Sequence, residues 1–203
     1  MPPQAARGRP PASSREMLQD AAFELFLENS YAGTTVEEIA QRAGVSRNTF
    51  FNYFPTKSDV FWVELDEALE QLAGTLRESA AGNSPLRTVL QAILAVGREF
   101  GTDRVPFALT QHELVGSVHE LQASALARFT RQARIIAGYL GTSGLDPLTA
   151  QAAGYAALGA AIAGVQSWAA AGTGRGDLEP YLRAAVEPVI RGYENSPAES
   201  RAT

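Results

Sequence analysis

The sequence predicts an all-α protein of about nine helices, and three observations predict it. Apolar residues recur at steps of three and four, as in Phe61, Leu65, Leu69, Leu72 and Leu76, which is the period of one helix face. Capping side chains open these runs, and glycines or prolines close them. No stretch alternates apolar and polar residues as a half-buried strand would.

The elements follow in order. Ser13-Ser14-Arg15-Glu16 forms a capping box, with Glu three residues after the N-cap Ser. Leu18, Ala21, Ala22, Leu25 and Phe26 then line one face, until Tyr31-Ala32-Gly33 breaks the pattern. Thr34-Thr35-Val36-Glu37-Glu38 holds two overlapping capping boxes for a short helix with Val36, Ile39, Ala40 and Ala43 on its apolar side. Gly44 ends it. Ser46 caps the next, which carries Phe50, Phe51 and Phe54 and stops at Pro55. Thr56 and Asp59 start a long fourth helix, which closes before the loop Gly82-Asn83-Ser84-Pro85. Leu86 to Phe100 reads as a fifth, Asp103 to His112 as a shorter piece with Pro106, and Leu114 to Tyr139 as another long one. An alanine-rich helix spans about Asp146 to Ala171, and a last one about Asp177 to Tyr193.

Composition bounds the function. The chain has 203 residues and no cysteine, which removes disulfides, thiolate zinc sites and cysteine nucleophiles and fits a reducing cytoplasm. Residues 1–12 hold no apolar run, so no signal peptide is expected. From Pro147 to Gly174 there are 28 residues without a charge, long enough to span a bilayer. Its large apolar residues Leu148, Tyr155, Leu158, Ile162 and Val165 occupy one arc, and the rest is small or polar. That predicts a buried helix packed closely by small residues, with no membrane partner.

Function is carried by the second and third helices. Two short helices joined at Gly44-Val45 have the spacing of a helix-turn-helix, whose second helix reads the DNA major groove. The third helix starts Ser46-Arg47-Asn48-Thr49. Arg grips guanine, Asn grips adenine, and Ser and Thr suit bases or phosphates. Spacing alone also fits an ordinary corner between two helices.

Residues 13–60 resemble the DNA-binding domain of the TetR family of bacterial transcriptional regulators. The resemblance rests on Ala22-Phe23-Glu24-Leu25-Phe26, on Tyr31-Ala32-Gly33-Thr34-Thr35-Val36-Glu37-Glu38-Ile39-Ala40, on Ala43-Gly44-Val45-Ser46, and on Phe51-Asn52-Tyr53-Phe54-Pro55-Thr56-Lys57. It implies that Thr35 caps the second helix and touches phosphate. Arg47, Asn48 and Thr49 would read bases beside Ser46 and Asn52. Tyr53 and Lys57 would meet the backbone. Asn48 and Phe50-Phe51 depart from the family pattern, which leaves the operator sequence open.

The resemblance implies a domain division: a flexible basic arm over 1–12, the DNA-binding domain over 13–57, a ligand-binding and dimerisation domain over 58–194, and a disordered tail over 195–203. Residues 1–57 hold six basic and six acidic groups, and residues 58–203 hold 11 and 16. The excess acid therefore lies away from the DNA-binding part. Arg7 and Arg9, in Arg-Gly-Arg-Pro, could lie in a narrow minor groove; the other reading is a free tail.

The implied activity is repression of transcription by a dimer on a palindromic double-stranded DNA operator, relieved by a small-molecule effector, with no cofactor. Candidate effector-binding residues are Trp62, Phe100, Phe107, His112, Tyr139 and Trp168. Their aromatic character suits a mostly apolar pocket, though each also fits plain core packing. Phe51 to Trp62 resembles regulators that sense acyl-CoA-like or other lipophilic effectors. Arg128, Arg131 and Arg134, three apart, form a solvated face or meet an anion. The last two helices resemble the family's dimer-forming pair, with Gly154, Leu158, Gly159, Ile162 and Val165 at the interface. Two alternatives remain at this point: a scaffold of the same fold that binds protein, and an enzyme using His112 and His119, whose spacing matches no zinc-hydrolase motif.

Overall fold

The computed structural model describes residues 14–79, 84–101 and 104–195, without the side chain of His112. The readings for the arm with Arg7 and Arg9, the Ser13 cap, Gly82-Asn83, Asp103 and the tail from residue 196 lie outside the described residues. The chain divides into two compact units, one ending at Phe61 and the other starting at Trp62.

The first unit begins with α1, Ser14–Gly33, which buries the expected stripe of Leu18, Ala21, Ala22, Leu25 and Phe26. Near its end Ser30 takes φ 64° and ψ 163°, a region that a side chain disfavours. The Thr34 hydroxyl tucks under this kink, donating to Ser30 O at 2.9 Å and Leu25 O at 3.1 Å. Of the two overlapping boxes, the structure makes the second. Thr35 N donates to Glu38 Oε2 at 2.8 Å, and Glu38 N donates to Thr35 Oγ1 at 3.2 Å. Thr34 is buried and committed to α1, so its hydroxyl cannot cap the next helix.

That next helix, α2, covers Val36–Arg42. Gly44 follows with φ +69°. Gly44 N bonds Gln41 O at 3.0 Å and Val45 N bonds Ala40 O at 2.9 Å, the paired pattern of a Schellman turn. Ser46 then caps α3, Arg47–Tyr53, by accepting from Thr49 N at 3.1 Å. Phe50 and Phe54 are buried and fix α3 to the unit.

The expected α-helical start at Thr56 is instead a 3-10 helix over Lys57–Trp62. Val60, Phe61, Trp62 and Val63 are buried in succession, which a one-sided α-helical stripe does not provide. The Thr56–Asp59 cap is made, with Thr56 N donating to Asp59 Oδ2 at 2.9 Å.

The second unit holds α4 (Val63–Glu78), α5 (Pro85–Arg98), α6 (Phe107–Thr110), α7 (His112–Ser117), α8 (His119–Thr142), α9 (Pro147–Ala170) and α10 (Glu179–Glu194). The described residues thus form ten α-helices. The piece expected over Asp103 to His112 starts only at Phe107, after Pro106. The helix expected from Leu114 to Tyr139 breaks at Val118, whose backbone is extended (φ −98°, ψ 114°). Packing overrides the unbroken apolar pattern there.

The core gathers Leu72, Leu90, Ile93, Leu94, Ile136, Leu140, Trp168, Leu182, Val186 and Ile190. Each large side chain so buried stabilises the fold by about 1.5–3 kcal/mol over leaving it in water. Helix α9 packs on α8 and α10. By length and composition it could cross a bilayer, but its buried face, including Ala153, Ala157, Ala161 and Trp168, belongs to this core. A Cβ on Gly154 would lie 2.9 Å from Ala133 O, and one on Gly164 2.9 Å from Tyr181 O. These glycines let α9 approach its own neighbours. Gly154 and Leu158 are therefore buried within the chain and do not present a dimer surface. Gly159 and Ile162 are exposed, and Val165 is half-buried.

Candidate functional site

Helix α3 presents its polar residues outward over a buried base. Ser46, Arg47, Asn48, Asn52 and Tyr53 are exposed, Thr49 is half-buried, and Phe50 is fully buried beneath them. Tyr53 is 45% exposed, and Thr35, at the N-cap of α2, is exposed as well. The expected reading residues are thus exposed, with Thr49 partly so.

Two partners hold the Arg47 guanidinium. It is ion-paired with Glu37 of α2, and it lies 4.9 Å from the centre of the Phe51 ring. Arg42 has a bracing role. It bonds Glu24 at 3.1 Å and Glu28 at 2.7 Å, tying α2 to α1. The hydrogen bond from Arg42 holds the Glu28 carboxyl below its ordinary range. The Thr35 backbone and side-chain bonds do the same for Glu38.

Lys57, which the resemblance places on phosphate, makes contacts within the first unit. Its ammonium donates to Tyr31 O at 2.7 Å and Thr34 O at 2.9 Å, and it lies 4.1 Å from the centre of the Tyr31 ring. It thereby joins Thr34 N on the Tyr31 carbonyl at the end of α1 and ties the Thr34 carbonyl beyond it.

The second unit encloses a cavity of about 330 Å³. Apolar side chains dominate its walls, among them Leu65, Leu69, Ile93, Val96, Leu109 and Phe129. Of the six expected effector residues, Trp62 and Phe100 line it. Phe107, Tyr139 and Trp168 do not. Phe107 donates its backbone N–H to Glu64 Oε2 at 3.2 Å, Tyr139 packs at the edge of the core, and the Trp168 indole is sealed with its N–H on Gly176 O at 2.9 Å. His112 opens α7, and His119 is exposed at the start of α8. Leu158, Ile162 and Val165 also line the cavity.

Polar residues in the wall include Arg128, weighed above as one of a row that meets an anion, and Gln132 and Gln166, which sequence reasoning missed. Arg128 grips Asp66 with two bonds, at 2.8 and 2.7 Å. Its guanidinium also lies 5.3 Å from the Trp62 ring. Arg131 and Arg134 are exposed, so the arginine row divides between cavity and solvent. Gln132 is 3% exposed, and its Oε1 has no hydrogen-bond partner. Its place among Leu121, Ala125, Phe129, Ile136 and Leu140, a polar residue on an apolar stripe, was a readable signal.

Residues 18–61 match the model for bacterial regulatory proteins of the tetR family. Residues 83–194 match the model of the MftR C-terminal domain. The chain is 25% identical over 171 residues to a Mycobacterium tuberculosis protein provisionally described as the mycofactocin biosynthesis transcriptional regulator MftR; this covers 83% of the chain and 86% of that protein. It is 31% identical over 130 residues to the HTH-type transcriptional regulator TcmR of Streptomyces glaucescens, covering 63% of the chain and 57% of TcmR. Among solved structures, the FadR repressor of Thermus thermophilus in complex with lauroyl-CoA is 26% identical, covers 93% of this chain and 98% of its own, and superposes with a TM-score of 0.57.

Proposed function

The chain belongs to the TetR family of bacterial regulatory proteins, and on that premise we propose that it acts in the cytoplasm as a homodimeric repressor on a palindromic operator. It is a DNA-binding transcription regulator of the effector-released kind and not an enzyme, so the chemistry considered for His112 and His119 falls away. The observation that carries the operator reading is the face of α3, where Arg47, Asn48 and Asn52 stand exposed above buried Phe50 and Phe54. Arg47 and Asn48 read base edges. Ser46, Thr49, Tyr53 and Thr35 position the helix on phosphates. Two such heads, one helical turn apart (~34–36 Å), read a palindrome.

The effector is small and mostly apolar. The walls of the cavity support this. It releases DNA only to the extent that it prefers one state of the protein over the other.

Selection of a randomised duplex library, at two salt concentrations, tests the operator reading. The expected result is a palindromic motif that is lost in Arg47→Ala and weakened in Tyr53→Phe. Enrichment indifferent to both substitutions overturns it. Affinity should fall steeply with salt, because phosphate contacts release counterions.

A further inference from the structure

The cavity carries more information than its apolarity. Its charged wall residue is already neutralised, because Arg128 is held by Asp66 through two hydrogen bonds and by Ser124 besides. An anion entering the cavity would have to displace Asp66 or leave a buried charge poorly matched. One acceptor, in contrast, is waiting. Gln132 Oε1 is buried in the wall without a donor. Nearly all buried polar atoms are hydrogen-bonded, and an unmet one signals a missing partner. The cavity of about 330 Å³ has room for about eleven non-hydrogen atoms, at liquid water's share of about 30 Å³ each.

Resting on the effector reading above, we infer that the cavity takes an uncharged hydrophobe of that size bearing one hydrogen-bond donor, an alcohol, phenol or amide N–H, which donates to Gln132 Oε1. Carboxylates of equal length are disfavoured. The apolar body displaces water from Leu69, Ile93 and Phe129, and the donor sets its orientation.

Calorimetric titration of the full chain tests this with three probes: decan-1-ol, its isomer 1-methoxynonane, and decanoate. The alcohol and the ether have the same atoms and differ in the donor. The alcohol is expected to bind about 2- to 12-fold more tightly than the ether, the factor of one net hydrogen bond. Decanoate is expected to bind more weakly than the alcohol. In Gln132→Leu the alcohol's advantage should vanish while the ether binds at least as well. That variant removes an unsatisfied polar atom from an apolar stripe, and its melting temperature confirms folding. In Asp66→Asn decanoate should gain, because Arg128 is then unneutralised.

Equal binding of alcohol and ether to the unsubstituted chain overturns the donor contact. So does an alcohol preference that survives in Gln132→Leu. Tightest binding by decanoate, or no gain for it in Asp66→Asn, overturns the exclusion of anions. Failure of all three probes to bind overturns the inference as a whole. The operator reading fails separately, in DNA binding by the unliganded protein.

Discussion

Arg47 of α3 is ion-paired with Glu37 of α2 while its guanidinium lies over the Phe51 ring. The side chain expected to read a base is thus held by its own protein before DNA arrives. An exposed pair of this kind contributes at most about 1 kcal/mol. A bidentate contact to guanine is worth about 1–3 kcal/mol, so DNA wins the competition. Arg47→Ala is expected to weaken operator binding by about 5- to 150-fold. Glu37→Gln should tighten it by no more than about fivefold. Titration of a labelled operator duplex checks both.

Lys57 holds the end of α1 through Tyr31 O and Thr34 O. Lys57→Met should destabilise the protein by about 1–3 kcal/mol, the scale of hydrogen bonds from a charged donor. Thermal melting reads that loss. The salt slope of operator binding should stay unchanged. A slope reduced by about one would put Lys57 on a phosphate instead.

Ser30 holds φ 64° and ψ 163° where α1 bends. Glycine adopts that region without a side-chain clash, and such strain costs about 1–3 kcal/mol. Ser30→Gly gives up the 3.4 Å bond that Gly33 N donates to the Ser30 hydroxyl, which is exposed and weak. The variant is expected to melt higher than the parent chain. A lower melting temperature would show that the hydroxyl matters more than the backbone.

Burial pushes the Glu64 carboxyl above its ordinary range, against the lowering effect of the Phe107 N–H that it accepts. The folded state therefore holds this proton more tightly than the unfolded chain does. Its contribution to stability is full at low pH and is lost as pH rises from the unfolded carboxylate value through the raised folded one. Glu64→Gln keeps an acceptor for Phe107 and removes the desolvated charge. It should melt above the parent chain at neutral pH, with the gap closing as pH falls. Melting curves between pH 4 and 8 check the sign.

Local signals made the first unit readable. The Thr35 box, the Gly44 turn and the Ser46 cap are short-range devices, each written within a few residues, and all three form. Elements set by distant packing were less visible. Nothing local announces the break at Val118 or the 3-10 run at Lys57–Trp62. The cavity was half legible for the same reason. Trp62 and Phe100 were found because large aromatics suit pockets, whereas Phe107, Tyr139 and Trp168 carry the same signal and do other work. Lys57 and Gly154 make contacts that no local signal announced. Lys57 was placed by the resemblance and Gly154 by its small size, and each is engaged by a segment 20 or so positions away.

The chain has two tryptophans, and their settings differ. Trp168 is fully buried with its indole N–H on Gly176 O, away from the cavity wall. Trp62 forms part of that wall beneath the Arg128 guanidinium. A molecule filling the cavity would touch one indole and not the other. The protein therefore carries its own optical probe. Trp168 supplies a constant emission background, Trp62 supplies the signal, and a Trp62→Phe chain is the blank against which occupancy is read without any label.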